Sequence, residues 1–572
     1  MRPTTWKSMQ IPAKLLRSML IWSAILIVAA NAQSNDANSG IADVIVRFKP
    51  NLVQAGHRRF VEHGAAHRRS LPIIGAEVYS VDSRSLERLA ADPGVEYIGP
   101  DNKVQATAYS GMPDYGWMTA LQVTKPTSWS DDEGDDDSTI GVAVIDSGIS
   151  ANDDLTRGSE KSRIVYKQSF VPGDASTDDA YGHGTHVAGL VAGDGADSIG
   201  SRFSYTVRGI APNARLINLR VLDSTGSGAD SAVIAAIQQA IALKNTYNIR
   251  VINLSLGRPV TMSYTKDPLC QAVQQAWNAG IVVVVAAGNG GRTNSRGNHG
   301  YVTISAPGNS PYVITVGAMN TLATLPRGDD KITSYSSKGP TLIDHVVKPD
   351  LVAPGNRIIS LRRVGSYLDA NSPENRVPIS TYKDGDSGVV QNYYQLSGSS
   401  MAAPMVAGAA ALLLQQNRGL TPDQVKARLM KTAYKLPQTT SIATDPATGM
   451  QYVSANDIFT VGAGYLDVQA ALNSTDLATA PATSPAATRD PSTGTAYLVT
   501  GSGAVWGSGA IWGTGAVWGS GAIWGTGAIW GNGAIWGDGA IWGDGAIWGD
   551  GAIWGDGAIW GDTVNVAING EN

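Results

Sequence analysis

Residues 140–146 read IGVAVID, an apolar run that ends on an aspartate. A strand with one solvated face alternates apolar and polar residues, so an unbroken apolar run reads as a strand covered on both faces. The pattern recurs in RLINLRVLD (215–223), RVINLSLG (250–257), IVVVVAAGN (281–289) and YVITVGA (312–318). Helical patterns separate the runs, at Asp230–Leu243, Leu269–Ala279, Met401–Gln416 and Thr421–Tyr434. This alternation predicts an α/β domain with a doubly wound parallel sheet and helices on both faces. In such sheets functional residues gather beyond the carboxyl ends of the strands. Asp146 closes the first run and Asn289 closes the run from Ile281. Neither suits the middle of a buried strand, so both are expected to project into one crevice.

The rest of the 572-residue chain divides by composition. A basic front (Arg2, Lys7, Lys14, Arg17) precedes the apolar stretch Met19–Ala30 and the small residues of ANA at 30–32. This reads as a signal peptide over 1–32, cut after Ala32, and predicts a secreted or cell-surface protein. The stretch falls short of the ~20 apolar residues of a membrane span. A lone cysteine, Cys270, makes no internal disulfide and suits packing. The net charge of −5 comes without a concentrated basic surface, which argues against a nucleic-acid partner. The acidic run DDEGDDD (131–137) reads as an exposed loop.

Residues 41–106 form a small α+β pattern. DVIVRFKP alternates Val44, Val46 and Phe48 inward, GAEVYSVDS and VEYIGPD read as two further strands, and SRSLERLAADPG as a short helix. Residues 474–500, rich in Ala, Thr, Ser and Pro, read as a linker. A six-residue repeat, Gly-x-Gly-Ala-(Ile/Val)-Trp, then fills 501–562 and puts tryptophan at every sixth position from Trp506 to Trp560. An even period turns every tryptophan of an extended chain to one side. Either a glycine-rich unstructured tail or stacked strands fits, the latter with attachment to a cell surface or glycan. An alternative function follows: an adhesion or assembly protein that uses proteolysis only for maturation.

Serine-based peptide hydrolysis needs a hydroxyl, a base, a carboxylate that orients the base, and donors for the oxyanion. GHGTHVAG (182–189) supplies His183 and His186, too few ligands for a metal but suited to a general base. Asp146 supplies a carboxylate, and Asn289 an amide flanked by glycines. LSGSSMAAP (396–404) offers Ser397, Ser399 and Ser400 just before an apolar helix, whose amino end favours developing negative charge.

The blocks VIDSGI, HGTHVAG, AAGN and GSSMAAP, in this order, resemble those of the subtilisin family of serine proteases. The resemblance implies that Asp146 orients His183 as general base, that Ser400 is the nucleophile and that Asn289 is the oxyanion donor. Ser399 stands where the family more often has threonine, Ser397 is a neighbour with a local hydrogen bond, and Pro404 is expected in the first helical turn. Ser255–Leu256–Gly257 and Gly226–Ser227–Gly228 resemble the two edges that sandwich an extended peptide by strand addition. Asp154, Asp197 and Ile199 resemble ligands of a structural Ca²⁺; the chemistry itself takes no cofactor.

By the same resemblance, 107–473 is a subtilisin-like catalytic domain, and 41–106 a ferredoxin-like inhibitory propeptide acting within the chain. Its tail, GPDNKVQATA (99–108), would lie in the cleft after self-cleavage somewhere between Val104 and Ser110. DSG after the aspartate fits the bacterial subtilisins better than the kexin-like convertases. General cleavage of protein or peptide substrates is therefore expected, with activity falling below about pH 6–7 as His183 is protonated.

Overall fold

The computed structural model describes residues 41–106, 139–157, 161–293, 298–385, 392–445, 448–489 and 496–499. The segment 1–32 read as a signal peptide, the acidic run 131–137 and the repeats lie outside the described residues. Two compact units divide after Asn102.

The N-terminal unit is a four-stranded antiparallel sheet in the order Ala66–Leu71, Ala76–Asp82, Ile41–Phe48, Val95–Pro100. With helices Val53–Glu62 and Ser83–Ala90 the chain order is βαββαβ, the split βαβ arrangement of ferredoxin-like folds. Val44, Val46 and Phe48 enter a core with Phe60, Tyr79, Val81, Leu86 and Leu89, as the alternation predicts. The first helix and the strand Ala66–Leu71 escape the sequence reading. That strand is a polar edge with little alternation, AHRRSL, and the helix carries Gly56. The glycine is needed there, because a Cβ would stand 2.3 Å from the Phe48 ring.

The larger unit is built on an eight-stranded sheet. Its parallel strands run Ile164–Ser169, Arg215–Arg220, Gly141–Asp146, Ile249–Leu254, Val282–Ala286, Ile314–Asn320, Leu351–Pro354. Lys331–Ile332 adds an antiparallel edge. Every residue of Gly141–Asp146 and of Val282–Ala286 is buried, so both faces are covered. Gly141–Asp146 is the first strand of the sheet in the chain; Arg215–Arg220 and Ile164–Ser169 lie on one side of it and the strands from Ile249–Leu254 onward on the other, so the winding changes sides there. A crevice opens beyond the carboxyl ends at such a switch point.

Two boundaries differ from the sequence reading. Lys103–Ala106 belongs with the larger unit rather than the small one, for a reason that the site makes plain below. Residues 474–489, expected as linker, pack against the larger unit. Ala482 and Ser484 are 1% and 7% exposed, and Val347 and Ala487 exchange backbone bonds with Pro485 and His345. Small residues leave no periodic signal, yet they fit closely against a surface. Ser484 Oγ donates to Asp350 Oδ1 at 2.6 Å, inside a buried group completed by Lys348 and Lys426.

Burial pushes the Lys348 ammonium down to about 7, although Asp350 pulls it the other way. An unfolded lysine holds its proton up to about pH 10.4, so this group makes stability rise between about pH 7 and 10. Thermal unfolding of the protein checks this. Relative to the same chain carrying Lys348→Met, it should gain stability as pH is raised through that range. A difference that stays flat or narrows contradicts the assignment.

Candidate active site

Asp146 ends its strand at the carboxyl edge, 1% exposed. Its Oδ1 accepts from His183 Nδ1 at 2.8 Å and from the Ser147 N–H at 2.7 Å. In the neutral ring this bond leaves the lone pair on Nε2. His183 opens the helix His183–Ala192, which must start very close to the preceding strand. A Cβ at Gly184 would stand 2.1 Å from the Gly148 carbonyl oxygen, so glycine alone permits the approach.

Asp179, missed by the sequence reading, holds this helix start. Its carboxylate accepts from the N–H groups of Gly182 and Thr185 and from Ser147 Oγ, each at 2.7 Å. Asp179 stands three residues ahead of the N-cap Gly182 and serves the N–H groups that a side chain at the cap would serve, so the usual capping position carried no signal. His186 is also fully buried, with Nε2 3.1 Å from the carbonyl oxygens of both Ile358 and Tyr394. Burial pushes its pKa down to about 3, with His183 adding to the effect, so it is neutral and ties the helix to two strands.

The serines sit across the crevice. Ser399–Gln416 is the helix, and it packs against His183–Ala192 and against the sheet. Ser400 is its second residue, fully buried, with Oγ donating to the Ser255 carbonyl at 3.0 Å. Ser399 holds Asn289: its N–H donates to Asn289 Oδ1 at 2.9 Å, and its hydroxyl lies 2.9 Å from the same oxygen. With Oδ1 fixed by Ser399, the side-chain nitrogen of Asn289 is buried and has no hydrogen-bond partner among the described residues. Ser399 is therefore an orienting group, a role that its residue type alone does not reveal. Ser397 Oγ accepts from the Arg357 N–H at 2.8 Å, a local bond as expected.

Pro404 corrects an expectation. It is the sixth helical residue, beyond the first turn, and leaves the Ser400 carbonyl without its helical N–H. Ser255 Oγ supplies the missing bond at 2.8 Å. Ser255 thus both donates to Ser400 through its hydroxyl and accepts from it through its carbonyl.

The segments expected to bind peptide are occupied by the chain itself. Lys103–Ala106 lies antiparallel between Ser227–Ala229 and Leu256–Gly257 in a three-stranded sheet. Gln105 pairs with Ser227 and Gly257, Val104 with Gly228, and Ala106 with Leu256. Val104 is fully buried, while Lys103 and Gln105 face solvent. Gly226 and Ser255 continue the two flanking edges.

Of the residues expected at a calcium site, Asp154 is engaged by the protein itself. Asp154 is fully buried, and both its oxygens serve protein donors: Oδ1 the Asp197 N–H at 2.7 Å, Oδ2 the Tyr393 hydroxyl at 2.8 Å. Burial, with Asp197 and Asp194 adding, pushes its pKa up to about 7. Among the described residues no three His, Cys, Asp or Glu side chains stand together as metal ligands.

Comparison with known proteins adds an independent line. Residues 137–464 match the model of the subtilase family. The chain is 33% identical over 435 residues to subtilisin E of Bacillus subtilis (strain 168), covering 73% of this chain and 94% of that protein. It is 41% identical over 293 residues to the serine protease AprX of the same organism, covering 50% of this chain and 59% of AprX. Among solved structures, fervidolysin from Fervidobacterium pennivorans, a keratinolytic enzyme related to subtilisin, aligns with a TM-score of 0.56 at 22% identity. That alignment covers 77% of this chain and 62% of fervidolysin, and the likeness is one of fold.

Proposed function

The chain belongs to the subtilase family, and from that premise we propose that it is an exported serine endopeptidase of broad specificity, made as a zymogen that processes itself. One observation carries the reading. Lys103–Ala106 is laid as a strand between Ser227–Ala229 and Leu256–Gly257, whose neighbour Ser255 accepts the Ser400 hydroxyl. A segment joined to the N-terminal unit thus takes the course of a bound peptide beside a candidate nucleophile.

In the proposed reaction His183 Nε2 takes the proton of Ser400 Oγ as the oxygen attacks the substrate carbonyl, and Asp146 steadies the imidazolium. The unpartnered Asn289 amide and the Ser400 backbone N–H at the helix start receive the oxyanion. Collapse of the intermediate sends the His183 proton to the leaving amine, and water then repeats the sequence to release the acyl group. Residues 41–106 act as the inhibitory propeptide, and the strand sandwich recognises main chain, which favours breadth over strict selection.

Two outcomes test the reading. Asn289→Ala should lower kcat by about 10²–10³-fold with KM little changed, because the amide serves charge that develops only in the transition state. N-terminal sequencing of secreted wild-type protein should find a start between residues 107 and 110, while Ser400→Ala protein retains residues 41–106. Processing that is equally complete in Ser400→Ala would exclude self-maturation.

A further inference from the structure

Lys103–Ala106 separates two edges, in the sheet order Ser227–Ala229, Lys103–Ala106, Leu256–Gly257. Neighbouring strands lie about 4.8 Å apart, so these two edges stand about 9–10 Å from each other, a gap one strand wide. Both run antiparallel to the inserted strand. Ser227 faces Gln105 and Ala229 faces Lys103, while Leu256 faces Ala106 and Gly257 faces Gln105. Both edges therefore leave the sandwich at the same end, beside Lys103 and away from Ser255 and Ser400. The next residue on one edge is Asp230, and on the other Arg258.

These two side chains meet. Arg258 Nε lies 3.0 and 2.9 Å from the two Asp230 carboxylate oxygens, and Nη2 lies 2.9 Å from Oδ2. Nη2 also donates to both oxygens of Asp267, at 2.9 and 2.8 Å. All three residues are buried, so solvent screens the group little. Each is also anchored behind. Asp230 opens the helix Asp230–Ala242, and Asp267 caps Pro268–Asn278 by accepting from the Leu269 N–H at 3.0 Å. The Arg258 backbone exchanges bonds with Ala306 at 3.0 and 2.8 Å. The hydrolytic chemistry uses none of the three.

We propose that Arg258, through Asp230, is a positioning residue that holds the two peptide-binding edges one strand apart when no peptide lies between them. The inference rests on the endopeptidase reading and deepens it. An extended peptide then enters a gap that is already open, and little of its binding energy goes into ordering the cleft. Asp267 steadies the arginine but does not join the edges.

The test compares Asp230→Asn with Asp267→Asn, each of which takes one negative charge from the same buried group. Only the first cuts the link between the edges. Two substrates are read as kcat and KM: the octapeptide KVQATAYS, which repeats residues 103–110 and can fill the sandwich, and p-nitrophenyl acetate, too small to reach it. Asp230→Asn should lower kcat/KM for the octapeptide by about tenfold or more, chiefly through KM, because binding must then order the cleft. Ester hydrolysis by the same variant should change by less than about threefold, since the ester makes no use of the edges. Asp267→Asn should keep the octapeptide-to-ester ratio within about threefold of wild type. Should Asp230→Asn not fold, Arg258→Met combined with Asp230→Asn takes its place, because it leaves no buried cation unpaired. An octapeptide-to-ester ratio that is unchanged in Asp230→Asn, or that falls equally in both asparagine variants, overturns this inference alone. Wild-type protein that leaves the octapeptide uncut overturns the endopeptidase reading with it.

Discussion

Ser400→Ala should lower kcat by on the order of a millionfold, and His183→Ala should do the same, while the double substitution costs no more than either alone. The non-additivity follows from the proposed roles. A hydroxyl without its base attacks poorly, and a base without its hydroxyl has nothing to activate, so either loss removes the whole nucleophilic step. Residual hydrolysis would then come from binding and the oxyanion donors, which neither substitution touches. Ser400 is well placed for such a clean test. Alanine removes one hydroxyl and its bond to the Ser255 carbonyl but leaves the Ser400 backbone carbonyl, which accepts from Ser255 Oγ, undisturbed. Kinetics on the two single variants and the double, with circular dichroism to confirm folding, check the prediction. A double variant much worse than the singles would mean that the two residues act independently.

Asp146→Asn should lower kcat by about 10⁴-fold at neutral pH. Asp146 Oδ1 takes bonds from both His183 Nδ1 and the Ser147 N–H. An amide in its place carries no charge to stabilise the imidazolium, and when its NH₂ rather than its oxygen faces the ring, the ring donates from Nε2 instead of accepting there. Geometry survives while the wrong tautomer is populated, so the effect should fall on kcat far more than on KM. A loss below about tenfold would remove Asp146 from the orienting role.

Much of this site was legible because its residues break a local rule. Asp146 and Asn289 stand where buried strands end, and a polar residue there has reason to face a crevice rather than a core. The helix amino end at Ser399–Ser400 was legible from small residues ahead of an apolar run, although the true start lay two residues before the predicted Met401. Residue type could not separate His183 from His186; the carbonyls of Ile358 and Tyr394 around His186 do, and they come from distant parts of the chain. Asp179 and Ser399 were illegible for a similar reason, since each acts by orienting a group that lies elsewhere in the fold.

Composition misled at residues 474–489, which look like a linker because alanine, serine and proline carry no period, yet Ser484 reaches the buried Asp350. Asp154 and Asp197 resemble calcium ligands of the family, and in the structure Tyr393 and the Asp197 N–H serve the Asp154 carboxylate. Tyr393 lies far along the chain from both, and no local pattern could have announced it.

The central claim is that Ser400 is an activated nucleophile, and fluorophosphonate labelling of the secreted protein with peptide mass mapping tests it most directly. The account predicts one label, on Ser400, and none on Ser400→Ala, which should remain joined to residues 41–106. A folded, processed protein that takes no label at Ser400, or takes it on another residue, would contradict the account.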